Sequence, residues 1–390
     1  MSMDPLADIV AGQYEQWVYP EPIRDLPGWL VNNWQWFDPS HAHCSLWPES
    51  PNRVDLRILV AGCGTNQAAV IAYTNPGASV TGIDVSEASL DHHRFLKTAY
   101  SLDNLNLRRL PIEEVKELGD NFDLIISTGV LHHLADPDAG LAALADVLAP
   151  DGVIALMLYA TTGRLGVELM EAAFRDAGLG QTPDDIALVR DALDVLPDRH
   201  PLRAYLAFAP DLNFDAGLVD TFLHGRQRSY TTSECLKFVQ TAGLQFGDWF
   251  FHAPYEPSTG GDNNFLARVG ELPDAQRWAV MERINTNNAC HFFTARRDGR
   301  VAPARRRPWE TMSARDIVPV WRYRCSLRGS ALERPGWQTT AHEDLQQIAS
   351  LIDNQRSVAE IVELSGLSST ESLLDWLWHA DFVTFTYADN

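Results

Sequence analysis

Short apolar segments that alternate with helical segments run from residue 56 to residue 159. The apolar segments are LRILVAG (56–62), GASVTGIDV (77–85), LNLRRL (105–110), FDLIIST (122–128) and GVIALMLY (152–159). Runs of this length are typical of strands that a parallel sheet buries on both faces. Between them, Ser86 is a good N-cap for EASLDHHRFLKTAY, and Asp136-Pro137 opens a helix with a cap and a proline at its first position. This alternation predicts βαβ units.

The alternation stops after residue 160 and resumes after residue 228. Residues 161–228 hold amphipathic helical stretches, one of them opened by Thr182-Pro183, and predict a helical insertion. Beyond it, LQFGDWFF (244–251) and NACHFFTAR (288–296) predict two more strands. The predicted fold class is therefore α/β, with a seven-stranded, mostly parallel, doubly wound sheet that closes near residue 297.

Three regions flank this domain, which we assign to residues 51–297. Residues 1–50 are rich in Trp, Tyr and Pro and predict an aromatic N-terminal cap. Residues 298–330 are rich in Arg and predict a basic linker, which either docks an acidic partner or neutralises the acidic remainder of the chain. Residues 331–390 predict a small winged-helix-like module of three helices and a final strand, FVTFTY. Capping boxes at 357–360 and 368–371 open its second and third helices.

Charge and composition exclude several classes of function and location. The chain has 31 Lys and Arg against 52 Asp and Glu, a formal net charge of −21. An acidic chain repels phosphate backbones, which disfavours a nucleic-acid binder and favours protein contact or homodimerisation for the acidic C-terminal module. No run of about 18 apolar residues predicts a membrane span, and the first residues do not resemble a secretory signal. Five scattered cysteines without C-x-x-C are typical of a reducing compartment, so we expect a cytoplasmic protein.

The strongest functional signal follows the first predicted strand. The glycines of Gly62-Cys63-Gly64 let the backbone turn sharply and approach a ligand. Asp84 closes the second predicted strand, where a carboxylate can accept both hydroxyls of a ribose. A dinucleotide site needs a third small residue where this chain has Gln67, because the helix must pack close beneath a pyrophosphate. Gln67 therefore favours S-adenosylmethionine (SAM) over NAD.

The segment from Arg57 to Tyr159 resembles the class I SAM-dependent methyltransferases. The likeness rests on VAGCGTNQ, GIDVS, LPIEEV, FDLIISTGVLHHLADP and LAPDGVIALMLY. It implies that the G-x-G loop holds the methionine arm and that Asp84 holds the ribose. It also implies that residues after the second and third strands line the adenine, and that residues after the fourth face the methyl group. The cofactor residues so implied are Gly62, Cys63, Gly64, Asp84, Val85, Pro111, Ile112, Glu113, Thr128, Gly129 and Val130.

The outer segments carry a looser resemblance. YEQWVYPEP, MLYATTGR and DTFLHGRQRSYT are similar to segments of bacterial methyltransferases of the outer-membrane-protein lysine type. This resemblance implies a protein lysine acceptor. The aromatic cap and the helical insertion, in contrast, favour an enclosed pocket and therefore a small metabolite as acceptor. A non-catalytic SAM-binding regulator is a further alternative, although such a protein would not need a ribose carboxylate.

Candidate acceptor-side residues follow the fourth strand and the insertion. His132 is a candidate base or substrate contact, or else a structural histidine at a helix end, and His133 is expected to be structural. His224 is the second catalytic candidate, with an interior hydrogen-bonded histidine as its alternative. The candidates for lining the pocket are Tyr19, Tyr159 and Tyr230, and Tyr14 is a candidate lid residue. The H-x-H-C run at 41–44 matches no common zinc spacing, so no metal is expected.

Overall fold

The structure is a computed structural model that describes residues 6, 8–48, 50, 53–257, 263–297, 316–335 and 337–387. The chain forms two compact units. The first comprises Met1–Gln35, Val54–Phe246 and Glu282–Asp298, and the second comprises Trp36–Arg53, Gly247–Met281 and Gly299–Asn390. The segment predicted as one aromatic cap (1–50) is therefore divided at residue 35 between the two units.

Helices and strands alternate along the chain as the pattern predicted. The strands are β1 (Arg57–Ala61), β2 (Ser79–Asp84), β3 (Leu105–Arg109), β4 (Phe122–Thr128), β5 (Leu148–Tyr159), β6 (Leu244–Trp249), β7 (Cys290–Arg297), β8 (Ile317–Trp321), β9 (Ser326–Arg328), β10 (Ala331–Arg334), β11 (Trp337–Thr340) and β12 (Val383–Tyr387). The α-helices are α1 (Ile9–Gln16), α2 (Leu26–Asn32), α3 (Pro39–Leu46), α4 (Gln67–Thr74), α5 (Glu87–Ala99), α6 (Pro137–Asp146), α7 (Leu165–Asp176), α8 (Pro183–Asp194), α9 (Leu202–Leu206), α10 (Asp215–Phe222), α11 (Thr232–Thr241), α12 (Asn264–Gly270), α13 (Asp274–Ile284), α14 (Glu343–Leu351), α15 (Val358–Ser365) and α16 (Thr370–His379). Short 3-10 helices span Ile112–Leu118, Leu131–His133 and Pro210–Asn213.

The seven predicted strands form one sheet in the order β3-β2-β1-β4-β5-β7-β6. The pairs β2–β3, β1–β2, β1–β4 and β4–β5 are parallel, and β7 runs antiparallel to β5. The predicted α/β class and mostly parallel sheet are thus confirmed. The strand order reverses between β1 and β4, so the loops that follow these two strands flank a crevice at the carboxyl edge of the sheet.

Burial explains why the central strands lack polar alternation. Every residue from Ile58 to Ala61 in β1 and from Leu124 to Ile126 in β4 is fully buried. Helices cover both faces of such strands, so neither face needs polar side chains. The residues that follow β1 and β4 are then the first ones free to meet a ligand.

The predicted insertion (161–228) contains α7 to α10. Thr182 caps α8, its side chain accepting the backbone N–H of Asp185. The insertion has an apolar core of its own, to which Val167, Phe174, Val189, Leu218 and Phe222 contribute. This core lets the insertion hold side chains in fixed positions beside the sheet of the first unit.

In the second unit, β8 pairs antiparallel with β12, and β9, β10 and β11 form a small antiparallel sheet. The basic linker predicted over 298–330 therefore contains both β8 and β9. The high Arg content of this region favoured a linker, although the β-branched residues of Ile317-Val318-Pro319-Val320 are typical of a strand. Residues 298–315 lie outside the described residues.

The three predicted C-terminal helices and the final strand are present. Ser357 and Glu360 form the predicted capping box at α15. The box predicted at 368–371 is wrong, because α16 begins after Ser369, whose side chain makes no capping hydrogen bond. The winged-helix likeness of the module stays a prediction. In the part of the chain that the structure describes, no helix is long and apolar enough to cross a membrane.

Candidate functional site

The loop after β1 turns through two glycines in the left-handed region, Gly62 at φ +74° and Gly64 at φ +55°. The backbone N–H groups of Gly62 and Cys63 both donate to the carbonyl of Ile83, at 2.9 and 3.0 Å. A Cβ built on Gly62 would lie 2.4 Å from a methyl carbon of Val130, so only glycine fits. The loop is therefore fixed between the ends of β2 and β4.

Asp84 ends β2 and faces this loop. Its carboxylate accepts the N–H of Gly64 at 2.8 Å and the N–H of Ser86 at 2.9 Å. Burial raises the pKa of the Asp84 carboxyl to about 6, although these backbone hydrogen bonds oppose the shift. Among the described residues, no Lys or Arg forms an ion pair with Asp84. A buried carboxylate with unused acceptor positions fits the two hydroxyls of a ribose.

The N-terminal segment closes over the loop. The hydroxyl of Thr65 donates to the carbonyl of Pro20 at 2.8 Å, and the amide of Asn66 donates to the carbonyl of Glu21 at 3.0 Å. The side chain of Asn66 also accepts the N–H of Ile23 at 3.1 Å. These bonds hold the N-terminal segment against the loop after β1.

Gln67 has a structural role that the sequence did not reveal. Its carbonyl oxygen accepts the hydroxyl of Thr128 at 3.0 Å, and its amide nitrogen donates to Gln35 at 3.0 Å. Gln67 therefore connects the loop after β4 with the N-terminal segment. The bulk that disfavours a pyrophosphate serves this connection.

The predicted adenine side lies at the ends of β2 and β3. The carbonyl of Val85 accepts the Nε–H of Arg109 at 2.9 Å. Ile112 is buried and Glu113 half-buried in the 3-10 helix that follows β3. This arrangement offers apolar contact for a base, and the assignment of these residues to the cofactor stays a prediction.

Aromatic rings form a chain beside the loop after β4. The ring centroids of Tyr159 and His132 are 3.9 Å apart, those of His132 and His133 are 4.2 Å apart, and those of His133 and His224 are 3.8 Å apart. The ring of Tyr14 follows, 5.8 Å from His224. The carboxylate of Asp220 closes the chain by accepting the hydroxyls of Tyr14 at 2.8 Å and Tyr159 at 3.2 Å. We call these residues the acceptor cluster: Tyr14, His132, His133, Tyr159, Asp220 and His224.

Hydrogen bonds fix the tautomers of two histidines. His133 donates from Nδ1 to the carbonyl of Arg226 at 2.9 Å, because a carbonyl can only accept, and a neutral ring then has a bare lone pair on Nε2. His224 accepts the N–H of Arg226 on Nδ1 at 3.0 Å, so its proton sits on Nε2, 3.3 Å from the hydroxyl oxygen of Tyr14. Burial lowers the pKa of His133 to about 3 and that of His224 to about 2. Both rings are neutral near pH 7.

His132 is 1% exposed, and neither of its ring nitrogens has a hydrogen-bond partner among the described residues. Burial also holds the pKa of His132 well below its usual range. A buried polar group without a partner costs about 1–3 kcal/mol, so proteins rarely keep one without a purpose. His132 therefore stays a candidate contact for a ligand group.

Three residues of the acceptor cluster are close enough to be considered as a metal site, which the sequence did not suggest. One ligand atom from each of His133, Asp220 and His224 lies within 4.8 Å of the others. The rings of the two histidines are stacked at an interplanar angle of 20°, so their lone pairs do not converge on one point. The Nε2 of His224 also carries a proton in the observed hydrogen-bond pattern. These contacts disfavour a metal ion at this position.

The structure brings together three of the predicted acceptor-side residues, His132, Tyr159 and His224. Tyr19 reaches the insertion instead, where its hydroxyl donates to Asp211 at 2.8 Å. Tyr230 is not in the cluster, because its ring packs 5.4 Å from Phe238.

Two members of the cluster were not among the predicted acceptor-side residues. His133 was expected to be structural, and Asp220 was not singled out. The signal for Asp220 was its position four residues before His224, a spacing that brings side chains together near a helix end.

The fold and the cofactor crevice define a Rossmann-like methyltransferase. Residues 59–154 match a family model described as a methyltransferase domain. An uncharacterised protein of Synechococcus sp. is 31% identical over 296 residues, which cover 72% of this chain and 70% of that protein. A ubiquinone biosynthesis O-methyltransferase of Dinoroseobacter shibae is 35% identical over 117 residues, which cover 30% of this chain and only 45% of that protein.

The fold has a counterpart among solved structures. PKMT2 from Rickettsia typhi matches with a TM-score of 0.65 and 14% identity, covering 90% of this chain and 75% of that chain. The same protein in complex with AdoHcy matches with a TM-score of 0.62 and 15% identity, over the same shares of both chains. The chain belongs to the class I SAM-dependent methyltransferases. It is an enzyme of that family, and SAM is its cofactor.

Proposed function

We propose that this enzyme transfers the methyl group of SAM to a small-molecule acceptor bound in the acceptor cluster. The observation that carries the proposal is the buried, unpartnered ring of His132. His132 lies four residues after Thr128, the last residue of β4, and we place it at the edge of the proposed cofactor crevice. A ligand atom bonded to His132 would lie beside that crevice.

The residues that would hold SAM are the loop after β1 and Asp84. SAM supplies an electrophilic methyl group, so the protein need only place a nucleophile in line with it and exclude water. The N-terminal segment, held by Thr65 and Asn66, closes the crevice. Tyr14 belongs to the same segment and reaches Asp220 in the cluster.

Enclosure supports a small acceptor. His132, His133, Tyr159 and Asp220 are each at most 8% exposed. Their elements differ: the 3-10 helix after β4 carries the two histidines, β5 ends at Tyr159, and α10 carries Asp220. Groups that are buried on three separate elements favour a compact acceptor, whereas a protein side chain requires an open approach.

The test is incubation of the full-length enzyme with methyl-labelled SAM and an extract separated by size. We expect label in the small-molecule fraction, together with S-adenosylhomocysteine (SAH). Asp84→Asn should reduce the labelling at least about tenfold at low SAM concentration, whereas Asp91→Asn on the exposed face of α5 should leave it unchanged. Label that enters protein instead would overturn the small-molecule acceptor in favour of a lysine-type activity. SAM that remains bound without turnover in every fraction would overturn the enzyme's proposed reaction as a whole.

A further inference from the structure

The charge states of the residues in the acceptor cluster can be assigned one by one. Its three imidazoles are neutral, its two tyrosines are protonated, and Asp220 is a carboxyl group that is only 4% exposed. Burial raises the pKa of Asp220, whereas the hydroxyl of Tyr14, the positive charge of Arg164 and the hydroxyl of Tyr159 oppose the shift. Within the cluster itself, Asp220 is the group that can carry a full charge near neutral pH.

The two arginines nearest the cluster are engaged with other groups. The guanidinium of Arg164 lies 3.6 Å from the ring centroid of Tyr159, 3.7 Å from Glu171 and 3.3 Å from the hydroxyl of Tyr205. The guanidinium of Arg226 donates to Asp8 at 2.8 Å and to the carbonyl of His133 at 2.8 Å. Each arginine thus has another carboxylate beside it, and neither forms an ion pair with Asp220.

We infer that the acceptor is a small-molecule amine and that the enzyme is an N-methyltransferase; this rests on the proposed function. Methyl transfer to a neutral amine moves the positive charge of the sulfonium onto the acceptor nitrogen. A carboxylate in a buried site stabilises charge that develops in this way. The guanidinium of Arg164 on the face of Tyr159 shows that rings of the cluster can hold a cation, because aromatic rings attract positive charge.

An anionic acceptor fits poorly. A phenolate or carboxylate would bring a second negative charge beside Asp220, and two carboxylate-like charges in one buried site disfavour each other. The three neutral histidines offer no positive charge to offset this repulsion. The guanidinium of Arg164 is already engaged with Tyr159, Tyr205 and Glu171, so the cluster disfavours O-methylation of an ionised oxygen.

The hydrogen-bonding groups match an amine. A neutral amine offers N–H donors and one lone pair, and the bare Nε2 of His133 can accept one of those N–H groups. In the reaction the amine nitrogen bonds to the methyl carbon while the carbon–sulfur bond breaks and its electron pair goes to sulfur. The amine gives its proton to water before it reacts, and the methylated nitrogen becomes a cation opposite Asp220 and leaves the site as an ammonium ion.

The test uses two probes of nearly equal shape, choline and 3,3-dimethylbutan-1-ol, which differ in the charge of the quaternary centre. Each is titrated by calorimetry into the full-length enzyme saturated with SAH. We expect choline to bind at least about tenfold more tightly, because only choline places a cation in the cluster. Equal affinity for the two probes, or tighter binding of the alcohol, would overturn the inference without the use of any variant.

Substitution of Asp220 tests whether its charge causes the preference for choline. Asp220→Asn keeps the shape of the side chain and removes the charge, so the preference for choline should disappear while SAH affinity remains within about twofold. Asp215→Asn is the matched control on the same helix, where Asp215 is exposed and paired with Arg190; it should keep the preference. Retention of the choline preference in a folded, SAH-binding Asp220→Asn protein would contradict the role of Asp220.

The chemistry of the labelled product gives a second readout. Label in an N-methyl group resists strong base, whereas a methyl ester releases methanol and a methyl ether lacks a basic nitrogen. Labelled small molecules retained on a cation exchanger support the inference, whereas esters, ethers or labelled lysine in protein contradict it. Failure of SAH to bind at all would instead defeat the proposed function, so the two failures are distinguishable.

Discussion

The backbone N–H of Gly64 donates to the carboxylate of Asp84 over 2.8 Å and so joins the loop after β1 to the end of β2. The bond brings the turn that would hold the methionine arm beside the group that would hold the ribose. The left-handed conformation of Gly64, at φ +55°, directs its N–H to the carboxylate. One hydrogen bond thus sets the distance between two halves of the cofactor site.

Substitution Asp84→Asn should weaken SAH binding by about 10- to 100-fold, because hydrogen bonds to a charged acceptor contribute about 1.5–3 kcal/mol. The amide would also turn an N–H donor toward the N–H of Gly64 or Ser86. Calorimetric titration with SAH measures the loss, and Asp91→Asn on exposed α5 serves as control. Equal affinity of both variants would show that Asp84 does not hold the ribose.

The affinity for SAH should depend on pH through Asp84. Burial raises the pKa of its carboxyl to about 6 in the free enzyme, and ribose hydroxyls that donate to the carboxylate would lower that pKa. Affinity is therefore highest above pH 7 and falls as the pH drops through 6, with a proton released on binding near pH 6. Calorimetry in buffers of different ionisation enthalpy counts that proton. The release should be absent in Asp84→Asn, and a flat wild-type profile would contradict the prediction.

Gly62→Ala should destabilise the fold by about 2–4 kcal/mol, because a Cβ adds backbone strain at positive φ and overpacks the site. That Cβ would lie 2.4 Å from Val130, and φ is +74°. Gly119→Ala is a matched control at φ +69° with open space around it, and should cost only about 1 kcal/mol. Urea unfolding midpoints measure both losses. Similar losses for the two variants would show that contact with Val130 does not matter.

His132→Leu should stabilise the protein by about 1 kcal/mol while it abolishes methyl transfer, because it removes two buried nitrogens that lack partners. The control is His291→Leu, which removes a 2.9 Å bond from the ring to the carbonyl of Tyr230 and should destabilise the fold by about 1–3 kcal/mol. Thermal unfolding, SAH calorimetry and the labelling assay test the pair. A less stable His132→Leu protein, or one that keeps full activity, would assign His132 a structural role.

Periodicity was enough to predict the sheet because local and tertiary preferences agree there. All seven predicted strands are present, and their order places the loops after β1 and β4 at one crevice. Prediction failed where a local signal had no tertiary support. At 368–371 the sequence offers a capping box, but Ser369 rather than Ser368 precedes the first helical residue, so the reciprocal bonds do not form.

The sequence by itself determined the cofactor half of the site. A sharp turn needs glycines at positive φ, and a ribose needs a carboxylate at the end of a buried strand; both are local requirements. Gly62, Gly64 and Asp84 meet them and can be recognised from short sequence motifs. Only the tertiary structure decided the acceptor half. Tyr14, His133 and Asp220 are separated by up to 206 residues, and their partnership depends on how the insertion and the N-terminal segment fold back onto the sheet. Side chains from separate elements meet through packing, which no local pattern encodes.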